Sequence, residues 1–137
     1  MTAAAEVLSG LAGRLSDAAG RLEMAGRRWE DGENTQATLA AFLRTLADLI
    51  EVRAALQAVA RTPSCQMAAA VEELAGEVTV ALGYVQTGTR SPAMPADMDE
   101  GVARLREVAR RLRVLAAADA GHAGHAGHEE GGRSGGR

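Results

Sequence analysis

Three histidines recur at every third residue near the C-terminal end, His122, His125 and His128, and Glu129 and Glu130 follow directly. Imidazole nitrogens bind zinc, nickel or copper, so these three residues are the chain's candidate metal ligands. They also form a Gly-Ala-His repeat in a low-complexity end, where wrapping an ion costs chain entropy. Cys65 is the single cysteine. The pattern puts it in the first turn of a third helix, where the positive helix end favours a thiolate. With no resolving cysteine or adjacent base, it reads as a small apolar residue near a helix start. Glu72, Glu73 and Glu77 cluster on the same helix and read as a solvated face.

What is missing excludes more. No histidine precedes residue 122. That removes Glu-x-x-His di-iron ligation, a histidine-ligated haem and histidine phosphotransfer from the folded part, together with any Ser-His-Asp or Cys-His pair. Lysine is absent altogether, so there is no G-x-x-x-x-G-K-[ST] phosphate loop. The expectation is a protein that is not an enzyme and has no cofactor in its folded part. One cysteine gives neither an intrachain disulfide nor a CxxC motif, which points to a reducing, cytoplasmic setting. A net charge of -3 and a pI near 5.6 lack the basic excess of a nucleic-acid binder. No apolar run approaches the roughly 18 residues that span a bilayer. The start, MTAAAEVLSG, carries Glu6 in place of a basic region and a long apolar stretch, and predicts a soluble, unprocessed chain.

The elements that must position any surface are helical. A chain of 137 residues suits one domain, and 30 alanines against three aromatics, Trp29, Phe42 and Tyr84, favour helix over strand. Residues 3 to 30 place Leu8, Leu11, Leu15, Ala18, Leu22, Ala25 and Trp29 at spacings of three and four, a helical seam. Asp-Gly-Glu-Asn breaks it, and Asn34 or Thr35 is suited to cap helix two. Leu39, Phe42, Leu43, Leu46, Leu49, Ile50, Leu56 and Val59 then form the richest apolar face, expected at the centre of the core. Thr62 is expected to cap helix three with Pro63 at its first position. Val71, Leu74, Val78, Ala81, Leu82 and Val85 supply that helix's stripe, and Gly88 ends it.

Residues 88 to 96, GTRSPAMPA, read as a loop, with Asp97 and Glu100 as the capping box of helix four. Val102, Leu105, Val108, Ala109, Leu112 and Leu115 face inward, while Glu100 with Arg104 and Glu107 with Arg111 are i, i+4 ion pairs. The fold class expected is all-α: four amphipathic helices in an up-down-up-down bundle over 1–118. A Gly/His/Arg-rich tail over 119–137, too poor in large apolar residues to hold a packed structure, is expected to be disordered. Helix one, with Gly10, Gly13, Gly20 and Gly26 each costing about 1 kcal/mol against alanine, is expected to fray first.

Two surfaces stand out as candidates for partner contact. Ser9, Gly13, Ser16 and Gly20 share one face of helix one, where another helix or subunit could approach closely. On helix four, Arg106, Arg110 and Arg113 line one edge of the apolar arc and Arg104 and Arg111 the other. Stems there cover apolar area while the charged heads meet water, an acidic partner or an anionic membrane surface. Residues 73–115, a helix, a Gly/Arg/Pro connection and an Arg-rich helix, resemble soluble helical regions of fusaric-acid-resistance-like aromatic acid exporters. The resemblance implies a soluble domain or fragment beside a membrane transport system. The residues themselves favour a non-catalytic helical protein acting through a protein partner or as a homo-oligomer, with metal binding at the histidine tail as the other alternative.

Overall fold

The computed structural model describes residues 3–33, 35–62, 66–90 and 95–134, with side chains for all of these except 89, 90, 95, 120 and 122–134. Four helices follow one another: α1 (Ala3–Glu30), α2 (Gln36–Ala60), α3 (Ala68–Arg90) and α4 (Pro95–Ser134). α1 and α3 each touch both α2 and α4, and the diagonal pairs stay apart, so the helices form a closed square. Cross-helix contacts fix the directions. Arg14 meets Glu51 and Arg21 meets Asp48, while Glu23 meets Arg106 and Ser16 meets Arg113. In each set the numbers rise on one helix as they fall on the other. The chain is an all-α four-helix bundle with antiparallel neighbours, and no helix among the described residues is long and apolar enough to cross a membrane.

α1 is buried along the expected seam, with Leu8, Leu15 and Leu22 at 0 % exposure. Its packed surface is wider than that seam, because Ala5, Ala12 and Ala19, seven residues apart, are buried as well. The next step of this heptad is Gly26, whose added Cβ would lie 3.7 Å from Met98 of α4. α4 answers with Ala109 and Ala116, also seven apart and buried. Small side chains at these positions let two backbones approach closely, and the α1–α4 contact is the most extensive in the bundle.

The turn after α1 closes as a Schellman motif. The Glu33 N–H donates to Arg28 O at 2.8 Å and the Gly32 N–H to Trp29 O at 3.2 Å, with Gly32 at φ +86°, a left-handed conformation natural to glycine. Of the two expected caps for α2, Thr35 is the one seen: in an extended conformation, its hydroxyl accepts from the Thr38 N–H at 3.2 Å. Trp29 and Phe42 meet edge to face at 6.2 Å beside this turn.

Four boundaries differ from expectation. Thr62 does not cap α3, which begins at Ala68; its hydroxyl donates back to Ala58 O at 3.2 Å and so finishes α2. Pro63 and Cys65 lie outside the described residues. α3 passes through Gly88 to Arg90, because Gly88 is where Met98 of α4 seats: a Cβ there would lie 3.2 Å from its backbone nitrogen. α4 starts at Pro95, where a missing N–H costs no helical bond. Asp97 is therefore inside the first turn, complementing the helix dipole, and is not its cap. The helix runs to Ser134, past the expected limit at Ala118, but the packing does not: Ala116 is its last buried residue among those described.

The largest departure concerns α2. Its core face is Phe42, Leu46, Leu49, Val52 and Leu56 with Thr38 and Thr45, whereas Leu39, Leu43 and Ile50, expected in the core, are 40 %, 56 % and 44 % exposed. The buried hydroxyls are satisfied, Thr45 donating to Ala41 O at 2.8 Å and Thr38 sitting 3.2 Å from the Thr35 hydroxyl. Two 3-4 seams share this helix, and the one through Phe42, Leu49 and Leu56 faces the interior.

Candidate interaction surface

Four of the five arginines expected along the edges of α4 divide between its two neighbours, whereas Arg110, expected beside Arg106 and Arg113, instead lines the α3–α4 side with Arg111. Arg106 and Arg113, seven apart, turn toward α1, where Arg106 donates to Glu23 at 2.9 Å and Arg113 to the Ser16 hydroxyl at 3.0 Å. Arg104 and Arg111, also seven apart, turn toward α3, reaching Glu77 at 3.8 Å and Glu73 at 3.3 Å. Arg104 also lies 5.0 Å from the centroid of the Tyr84 ring. Glu73 and Glu77, read as a solvated face, thus serve as cross-helix partners. Arg110 pairs with Glu107 on its own helix at 3.0 Å, which replaces the expected Glu107 to Arg111 pair, while Glu100 to Arg104 forms at 3.4 Å. These pairs are well exposed and each contributes at most about 1 kcal/mol. The cross-helix pairs are those that the packing of α4 against α1 and α3 brings within reach.

The candidate small face of α1, Ser9, Gly13, Ser16 and Gly20, is half-buried throughout, and the Arg113 side chain of α4 reaches over Ser16. A Cβ added at Gly13 or Gly20 meets nothing within 4 Å. Ser16, Arg106, Arg110 and Arg113 are therefore occupied by contacts within the chain. The side chains of His122, His125 and His128 lie outside the described residues, and among those described no group of three His, Cys, Asp or Glu side chains is placed to hold a metal.

Glu23 receives Arg106 and, at 3.4 Å, Arg27. The hydrogen bond from Arg106, then its charge, hold the Glu23 carboxyl below its ordinary 4.5. A depressed carboxylate stabilises the fold above its unfolded pKa and loses that contribution as pH falls through the folded value, so the α1–α4 strap weakens only under acid. Titration of the Glu23 carboxyl by NMR is expected to give a midpoint below 4.5 that rises in Arg106→Gln. A midpoint indifferent to that substitution would show that the pair does not form in solution.

A shallow groove of about 140 Å³ lies between α3 and α4, lined by Ala70, Leu74, Arg110, Arg111, Val114 and Leu115. It is smaller than the roughly 300 Å³ at which pockets begin to enclose small molecules. The surface feature of larger extent is on α2. Three of the seven exposed large apolar residues among those described, Leu39, Leu43 and Ile50, fall on this one helix, within an arc of about 40° at 100° per residue. Ala40, Ala47 and Ala54 continue the arc, half-buried or exposed. Val7 and Met24 on α1, Val80 on α3 and Val114 on α4 are scattered. This face is not among the sites read from the sequence, since its leucines and isoleucine were counted into the core. The chain matches no protein-family model, no curated protein and no solved structure.

Proposed function

We propose that this protein works without catalysis, through contact of its α2 outer face with another helical protein surface. The observation that supports the reading is a second 3-4 seam on a helix that already has one. Gln36, Ala40, Leu43, Ala47, Ile50, Ala54 and Gln57 carry no charge along the length of α2 and point away from Phe42, Leu49 and Leu56. A bundle helix that is apolar on both sides has a surface to bury elsewhere. The rest of the bundle acts as the rigid frame that holds this helix straight, with the arginine pairs of α4 on the opposite side of the square.

The test is a photo-crosslinking residue at Ala47, with the same residue at the exposed Gly76 of α3 as control. Expected are discrete adducts in cells from position 47, absent from position 76 and lost when Leu43→Arg is added. Adducts that are equal at both positions, or indifferent to Leu43→Arg, would sink the reading.

A further inference from the structure

The α2 outer face has a property that identifies its occupant: it is complementary to itself when reversed. We infer that two copies of this chain associate through this face, α2 lying antiparallel on α2 of the second copy about a two-fold axis at Ala47. This inference rests on the reading of α2 as the contact surface.

In that register Leu43 faces Ile50 of the other copy, Ala40 faces Ala54, Gln36 faces Gln57, and Ala47 meets itself. The alternation of a large side chain with alanine lets the helices come close while each Leu–Ile layer fills the gap between alanine layers. The flanking charges agree. Arg44 and Glu51 lie on the same edge of the seam, and reversal brings Arg44 of each copy against Glu51 of the other, giving two ion pairs per dimer. A parallel arrangement would carry this edge to opposite sides of the seam, so Arg44 and Glu51 could not meet across it, and the pair forms only in the antiparallel dimer. Arg44 is exposed and makes no ion pair or hydrogen bond among the described residues. Glu51 keeps an outer side free, being 69 % exposed beside Arg14. The seam is turned about 100° from Phe42 and Leu49, and Leu43, Ala47, Ile50 and Ala54 along it are exposed.

One helix per subunit makes a small interface, under about 1,200 Å² in total, the class of reversible contacts. Sedimentation equilibrium of the full chain over a micromolar to sub-millimolar series is therefore expected to show a mass rising from 14.2 kDa toward twice that value. Leu43→Arg is expected to hold the mass at the monomer value with an unchanged helical spectrum. Arg44→Glu, at a position whose side chain supports nothing in the fold, is expected to weaken the dimer about tenfold, and adding Glu51→Arg to recover most of that loss by restoring the pair with its signs exchanged. A monomer at every concentration overturns the inference. So does a dimer that ignores Leu43→Arg and Arg44→Glu but is split by Gly13→Leu with Gly20→Leu, which would move the contact to α1. Crosslinks from Ala47 that carry a mass other than this chain's own, in a protein that stays monomeric, end the self-association while leaving the contact surface on α2; no specific crosslink at all ends both.

Discussion

Leu49→Ala is expected to lower the free energy of unfolding by about 2–5 kcal/mol, the range for removing a buried leucine side chain and leaving a cavity behind. Leu49 is fully buried at the middle of α2 and belongs to the seam formed with Phe42, Val52 and Leu56. Leu43→Gln, on the same helix, is expected to change the stability of the single chain by no more than about 0.5 kcal/mol, because a 56 % exposed side chain has little packing to lose. The pair of variants measures the rotation of α2 directly. Urea unfolding followed by circular dichroism, at concentrations low enough that association does not contribute, separates the two outcomes. Equal losses for both would mean that α2 is buried on both sides and that no contact face exists. A larger loss at Leu43 would mean that the helix is turned, with Leu39 and Ile50 inside.

That rotation was the part of the fold hidden in the sequence. The expected face of α2 ran from Val59 through Leu49 to Leu43, about 200° of the helical wheel, whereas a helix on a bundle needs an apolar stripe only somewhat wider than 100°. The excess was the available signal. Phe42, Leu49 and Leu56 repeat at seven, Leu43 and Ile50 repeat at seven one residue later, and the two registers point in different directions. α1, α3 and α4 were legible because each carries a single register of large residues. The seams of Leu8, Leu15 and Leu22, of Val71, Val78 and Val85, and of Leu105 and Leu112 are all buried as read. The arginine edges of α4 were legible for the same geometric reason. Their roles were not, since what Arg106 or Arg113 meets depends on the register of a neighbouring helix. Glu23 and Ser16 enter only once α1 and α4 are laid antiparallel. The connections were misplaced where a local signal had a tertiary rival. Gly88 looked like a helix end and is instead a seat for Met98.

The glycines of this chain also divide by tertiary context, and the division is measurable. Gly101→Ala is expected to destabilise the bundle by about 1–3 kcal/mol, the cost of forcing extra volume into a packed contact, although alanine is the better helix former by about 1 kcal/mol. Gly101 is buried where α4 crosses α3, and a Cβ there would fall 2.8 Å from Val85 Cγ2, with Ala81 O and Val85 N at 3.3 Å behind it. Val85 is fully buried and β-branched, so it has no spare rotamer to offer, and relief requires the two helices to separate. Gly13→Ala and Gly20→Ala face open space and are expected to raise stability by up to about 1 kcal/mol each, through propensity and a less free unfolded chain. Adding Val85→Ala to Gly101→Ala is expected to cost less than the sum of the two single changes, since the smaller side chain makes room for the new methyl group. Strict additivity would place the two residues out of contact. A stabilising Gly101→Ala would mean that α3 and α4 lie farther apart than the 2.8 Å approach allows. The first outcome ties the fixed crossing of α4 on α3 to one missing side chain.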